Sequence, residues 1–208
     1  MSDLVAKIGG SVGAFPQAEW DALAGGNPFV SHAFLTALED SGSVGPGTGW
    51  QSAPIVIEDA HGRLRGALPA YLKGHSQGEY VFDHAWADAY ERAGGQYYPK
   101  LQIAAPFTPA TGPRLLLSDE SLARPLLSAA EQLCAQNHFS SAHATFIEAG
   151  QVDLFERAGW MTRRDIQYHW RNRGYEDFDG FLGELASRKR RALRKERAAA
   201  QAEVRIER

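Results

Sequence analysis

The sequence predicts a mixed α/β fold in one layer system. Three observations carry this. Strand-like and helix-like stretches alternate from end to end, in the order β, two helices, a hairpin, a helix, then β, α, β, α, β, α. The connections are short, which favours one domain. At 208 residues, with ordinary apolar and charged fractions, the chain can bury a core without staples.

Taken in order, "VAKIGGSVGAF" reads as a short strand. "PQAEWDALAGG" reads as a helix with Pro16 at its start and glycines at its end. "FVSHAFLTALEDSG" is a second helix, capped by Ser31, with Phe34, Leu35 and Leu38 on one face. "WQSAPIVIED" and "RLRGALPAYLK" are two strands joined by "AHG". "DHAWADAYERAGG" is a short helix. A central strand spans Leu101 to Ala105, and the loop "PFTPATGPR" breaks it before Leu115.

"DESLARPLLSAAEQLCAQNHF" is a helix with Leu126, Leu127, Ala130 and Leu133 on one stripe. "SSAHATFIEA" is a strand. "QVDLFERAGW" is a short helix that Gly159 closes. "MTRRDIQYHWRN" is the last strand: Ile166, Tyr168 and Trp170 take one parity, and Gln167, His169 and Arg171 the other. A long helix follows from Tyr175, with Phe178, Phe181, Leu182 and Leu185 as its apolar stripe and a basic second half. "VRIER" would begin another strand.

Residues 1–162 carry 9 Lys/Arg against 17 Asp/Glu, and residues 163–208 carry 13 against 8. The basic end is a candidate for anions: phosphate, RNA or an acidic surface. The single Cys134 excludes an internal disulfide and any multi-cysteine metal site, and no metal is expected. Cys134 sits beside Leu133 on an apolar helix and reads as a buried thiol. The N-terminus lacks the pattern of a signal peptide and no apolar run reaches membrane-spanning length, so the expected location is the cytoplasm.

Several residues carry candidate chemistry beside a structural reading. His169 shares its face with Gln167 and Arg171, and an imidazole titrates near neutrality. It reads as a general base or as an ordinary strand histidine. His84 is the second candidate base. Asp83 either caps a helix or joins Trp86 and Tyr90, four apart on one helix face, in a substrate pocket. Tyr97 and Tyr98 can stack on a ligand, and Lys100 can meet a carboxylate or phosphate. Thr108, Thr111, Gly112 and Arg114 offer hydroxyls, open backbone and a cation in a loop after a central strand, where α/β sheets commonly bind ligands. Glu148, at a strand end, is a third candidate base or a helix cap. Arg188, Lys189, Arg191 and Lys195 form either a solvated helix face or an anion-binding one.

The segment "SAHATFIEAGQVDLFERAGWMTRRDIQYHW" resembles the closing strand–helix–strand of the GNAT acyltransferase fold. Four further phrases narrow the resemblance. "NPFVSHAFLTALEDSG", "LPAYLKGHSQGEYVFDHAWADAYERAG", "YYPKLQIAAPFTPATGPRLL" and "IQYHWRNRGYEDFDGFLGELASRKRRALRKER", in this order, resemble the FemAB-like family of predicted N-acyltransferases, described as peptidoglycan biosynthesis or recognition proteins.

The resemblance implies a GNAT-like domain over residues 1–175, a mixed central sheet flanked by helices. Residues 176–208 would be a basic helix and the start of a second half, missing or supplied by a partner. It implies acyl or aminoacyl transfer to a small-molecule or peptide amine, a peptidoglycan precursor among the candidates. The donor stays open between acyl-CoA and aminoacyl-tRNA. The GNAT coenzyme A signature, Arg/Gln-x-x-Gly-x-Gly/Ala, is absent at every glycine, so weak coenzyme A binding or none is expected. Fem-type transferases draw on aminoacyl-tRNA and carry a similar basic helix, which makes tRNA a candidate partner. A homodimer is another. The alternative function is a non-catalytic module that binds peptidoglycan fragments or RNA.

Overall fold

The computed structural model describes residues 4–81, 83–202 and 204. These form two compact units, residues 1–163 and residues 164–208.

The first unit contains two four-stranded sheets. One orders its strands β1 (Val5–Ile8), β3 (Ile55–Glu58), β4 (Leu64–Leu68) and β7 (Leu116–Leu117). The other orders β2 (Trp50–Ser52), β5 (Ala70–Lys73), β6 (Lys100–Ile103) and β8 (Ala142–Ala144). The expected hairpin serves both. Each of its long strands divides at a proline, Pro54 and Pro69, which lack the N–H to continue a ladder. Ala53 N–H donates to Ala70 O across the division at 2.9 Å. All neighbours pair antiparallel except β6 and β8, which run parallel with Gln102 opposite His143.

That parallel pair is linked through α4 (Ala123–Asn137), whose Leu126, Leu127, Ala130 and Leu133 pack on Ile55, Ile57 and Leu68 of the first sheet and Ala70, Leu101 and Ile103 of the second. Gly66 permits this approach. A Cβ there would lie 2.9 Å from Leu126 Cδ1. Cys134 is buried in this core, and burial pushes its thiol up to about 11.

On the opposite face of the first sheet, Val56, Ala67 and Leu116 meet Trp20 of α1 (Gln17–Ala24) and Leu35 of α2 (His32–Asp40). Ser31 caps α2 as expected, accepting from Phe34 N–H at 3.3 Å. α3 (His84–Arg92) follows β5, and α5 (Ala149–Arg157) ends at Gly159 with φ of +88°.

From residue 161 onward the structure corrects two expectations. Residues 161–171 form no strand. Ile166, Tyr168 and Trp170 are exposed along with Gln167, His169 and Arg171, so the alternation buries neither face. A period of two makes a strand only where a ladder and a surface receive it. The single long helix is instead two, α6 (Phe178–Gly183) and α7 (Ser187–Gln201), broken where Ala186 turns extended.

The arginines hold this helical pair together. Arg190 donates to Gly183 O and Leu185 O, Arg194 pairs with Asp179 at 3.0 Å, and Arg197 lies 4.1 Å over the Phe178 ring. Leu182 is buried, whereas α7 buries no residue. Most of "VRIER" lies outside the described residues.

Candidate functional site

The second sheet has one apolar face and one polar face. Leu101 and Ile103 alternate with Lys100 and Gln102 along β6, and the register continues the polar parity across the sheet. Trp50, Lys73 and Lys100 form one cross-strand row. Ser52, Tyr71, Gln102 and His143 form the next. Lys73, Lys100 and Gln102 are wholly buried.

The loop from β5 to α3 lays carboxylates over the first row. Lys100 Nζ lies 2.6 Å from Asp83 Oδ2, 2.8 Å from Glu79 Oε2 and 3.0 Å from Ser76 Oγ. Tyr97 donates to the same Asp83 oxygen at 2.8 Å, and Ser76 Oγ meets Tyr98 OH at 2.7 Å. Asp83 precedes α3 yet makes no capping bond, because Lys100 and Tyr97 hold its carboxylate. Lys73 Nζ sits 3.5 Å over the Trp50 ring, and both Lys73 and the indole donate to Gln77 O.

Burial and neighbouring charge spread the proton affinities of these groups. Burial, with the like charge of Lys100, brings Lys73 down to about 7 against the opposing pull of Glu79 and Asp83. Burial raises Glu79, although Lys100 opposes it. Burial also works upward on Asp83, but the Lys100 and Tyr97 hydrogen bonds outweigh it and hold the carboxyl at about 2. Burial and Lys100 hold His143 at about 4, so its ring is neutral at physiological pH. Its Nε2 is 2.8 Å from Ser141 Oγ.

Beyond the parallel pair, β6 and β8 part. Thr145 N–H donates to Ile103 O. After that Gly112, returning from the proline-rich loop, takes the place beside the continuing strand, with its N–H on Phe146 O and its carbonyl receiving Glu148 N–H. A Cβ at Gly112 would lie 2.7 Å from Asn27 Nδ2, so a larger residue there would push the Asn27 amide aside. Phe107 and Phe146, on the two diverging segments, both hold positive φ, near +57° and +54°. Phe107 packs on Trp50 at 5.3 Å. Gln102 Nε2 bridges to Thr145 Oγ1 at 3.1 Å.

The sequence candidates fall in four places. Asp83, Tyr97 and Lys100 stand together in the buried cluster, with Tyr98 half-buried beside it. His84, Trp86 and Tyr90 are exposed on α3. Thr108, Thr111, Gly112, Arg114 and Glu148 belong to the parting strands. Arg114 is buried there, with its guanidinium on the carbonyls of Thr145, Pro113 and Ala110, so it fastens the loop. Burial lowers it to about 10, against the charge of Glu148. Thr108 Oγ1 donates to Pro106 O at 3.0 Å. Glu148 stands at the start of α5 without a side-chain capping bond.

Gln167, His169 and Arg171 are exposed in the second unit, where His169 Nε2 lies 2.9 Å from Gln167 Oε1. Arg188, Lys189, Arg191 and Lys195 are exposed on α7. Lys73, Ser76, Glu79, Gln102 and His143 escaped sequence reasoning. The signal was present in "KLQI" and "AHA", where polar residues alternate with apolar ones. No cluster suited to a metal ion and no helix long and apolar enough to cross a membrane occurs among the described residues.

A family model described as FemAB-like, peptidoglycan biosynthesis/recognition, matches residues 11–208. No curated protein matches. Among solved structures, aminoglycoside 6'-N-acetyltransferase AAC(6')-Ih from Acinetobacter baumannii is 12% identical at a TM-score of 0.47, over 83% of this chain and 100% of that one. AAC(6')-Iy in complex with CoA is 11% identical at 0.45, over 83% and 97%. Glucosamine-6-phosphate N-acetyltransferase from Arabidopsis thaliana is 13% identical at 0.43, over 83% and 99%. At these values the likeness is loose.

Proposed function

The chain belongs to the FemAB-like family of peptidoglycan biosynthesis/recognition proteins, and we propose that it is an N-acyltransferase that joins an acyl or aminoacyl group to an amine of a peptidoglycan precursor. The observation that carries this reading is the polar face of the second sheet. Amine, carboxylate, amide and imidazole groups converge there, next to the point where β6 and β8 part.

The reaction needs a group to take the proton of the acceptor ammonium, donors for the developing oxyanion, and a carrier held in reach. Lys73, brought to about 7, is a group that exchanges a proton near neutrality, and burial raises the proton affinity of Glu79 beside it. We rank them ahead of His169, His84 and Glu148 as the base. The amine nitrogen attacks the acyl carbonyl, its proton passes to the base, and the thioester or ester bond to the carrier breaks. Acyl-CoA and aminoacyl-tRNA both fit this scheme as donors. In the second case Arg188, Lys189, Arg191 and Lys195 would meet tRNA phosphates.

The test is mass spectrometry of muropeptide acceptors incubated with the protein and either donor. A donor-dependent amide on the acceptor is expected. Muropeptide binding without a mass gain from any donor would favour a recognition module.

A further inference from the structure

We infer that Glu79 and Asp83, approached through the Tyr90–Tyr97 aromatic step, seat a primary ammonium group, so that the acceptor is recognised as a cation before transfer. The identification of this cation as the acceptor rests on the acyltransferase reading. The seat itself rests on three observations.

First, each carboxylate is only half used. Glu79 Oε2 and Asp83 Oδ2 hold Lys100, while Glu79 Oε1 and Asp83 Oδ1 are buried without a hydrogen-bond partner among the described residues. Both residues are 4% exposed. Buried carboxylate oxygens ordinarily find donors, and an ammonium brings three.

Second, two carboxylates share one ammonium. Glu79 and Asp83 both pair with Lys100, while Lys73 lies outside that pairing, over the Trp50 ring and on Gln77 O. A further cation would find charge-assisted acceptors there, about twice as strong as neutral ones.

Third, packed aromatic rings run from the cluster to the surface. Tyr90 is 45% exposed, and its ring stands edge-on to Tyr97 with centroids 6.1 Å apart. Tyr97 in turn donates to Asp83. Gly95 makes room for the Tyr90 ring, since a Cβ there would fall 2.3 Å from Tyr90 Cε1. Trp86, one turn earlier on α3, is 65% exposed. Rings of this kind attract an alkylammonium electrostatically and cover its stem.

The experiment compares two probes by titration calorimetry: a muropeptide with a free lysine ε-amine and the same peptide acetylated at that nitrogen. The free amine should bind roughly tenfold tighter or more, as expected for charge-assisted bonds. Glu79→Gln, checked for folding by circular dichroism, should remove most of that preference. Equal affinity of the two probes for the wild-type protein, or binding of neither, overturns the seat even if Glu79→Gln does not fold. A preference that survives in a folded Glu79→Gln protein also overturns it. The readout is independent of turnover. A preference without transfer retains the seat and sinks the transferase, and transfer without a preference does the reverse.

Discussion

The two sheets of the first unit share a core under α4 but treat their other faces differently. The first turns Val56, Ala67 and Leu116 onto a second apolar layer built from α1 and α2. The second turns Lys73, Lys100, Gln102 and His143 onto carboxylates, hydroxyls and aromatic rings. A sheet packed on both sides by hydrocarbon serves stability. One that buries titratable groups gives up solvation that well-packed apolar residues would not lose. This contrast is the ground for the proposal that the chemistry belongs to the second sheet and the scaffolding to the first.

The largest expected effect tests the buried charges. Lys100→Met leaves Glu79 and Asp83 buried without their cation, and urea unfolding should show a loss of about 3–5 kcal/mol. Adding Glu79→Gln and Asp83→Asn to that variant should recover most of it. A loss of less than about 1 kcal/mol would mean that the carboxylates escape to water and that the two sheets differ less than their burial implies. On the first sheet, Leu68→Ala should cost about 2–5 kcal/mol by cavity formation while leaving amide formation per folded molecule unchanged.

A pH comparison sharpens the contrast further. The folded Lys73 releases its proton near 7, whereas its ordinary value is 10.5. Between these values the unfolded chain binds more protons, so this group adds stability as pH rises and withdraws it as pH falls toward 7. Wild type should therefore gain stability relative to Lys73→Met between about pH 7 and pH 8.5. A parallel course for the two proteins would show that Lys73 is charged throughout. The smallest effect belongs to α7: Arg191→Glu, on an exposed face, should leave the melting temperature within about two degrees.

Apolar periodicity made α4 and the strands beneath it legible in the sequence, because each buries one continuous stripe. Asp83, Tyr97 and Lys100 were readable as polar residues in suspicious places. Their convergence was not, since it depends on Lys100 facing the β5–α3 loop with the whole of α3 intervening in the chain. Lys73 and Gln102 looked like ordinary strand positions until the register placed them on one face. The 165–171 segment shows the converse. Its alternation was clear, but alternation states a capacity to pair and does not supply the partner.

The most direct test of the polar face as the working face is amide hydrogen exchange with the lysine muropeptide and an acyl donor present. The account predicts ligand-induced protection at Tyr71–Asp83 and Tyr97–Ile103, with β3 and β4 unchanged. Protection confined to β3 and β4, or to residues 164–208, would contradict it.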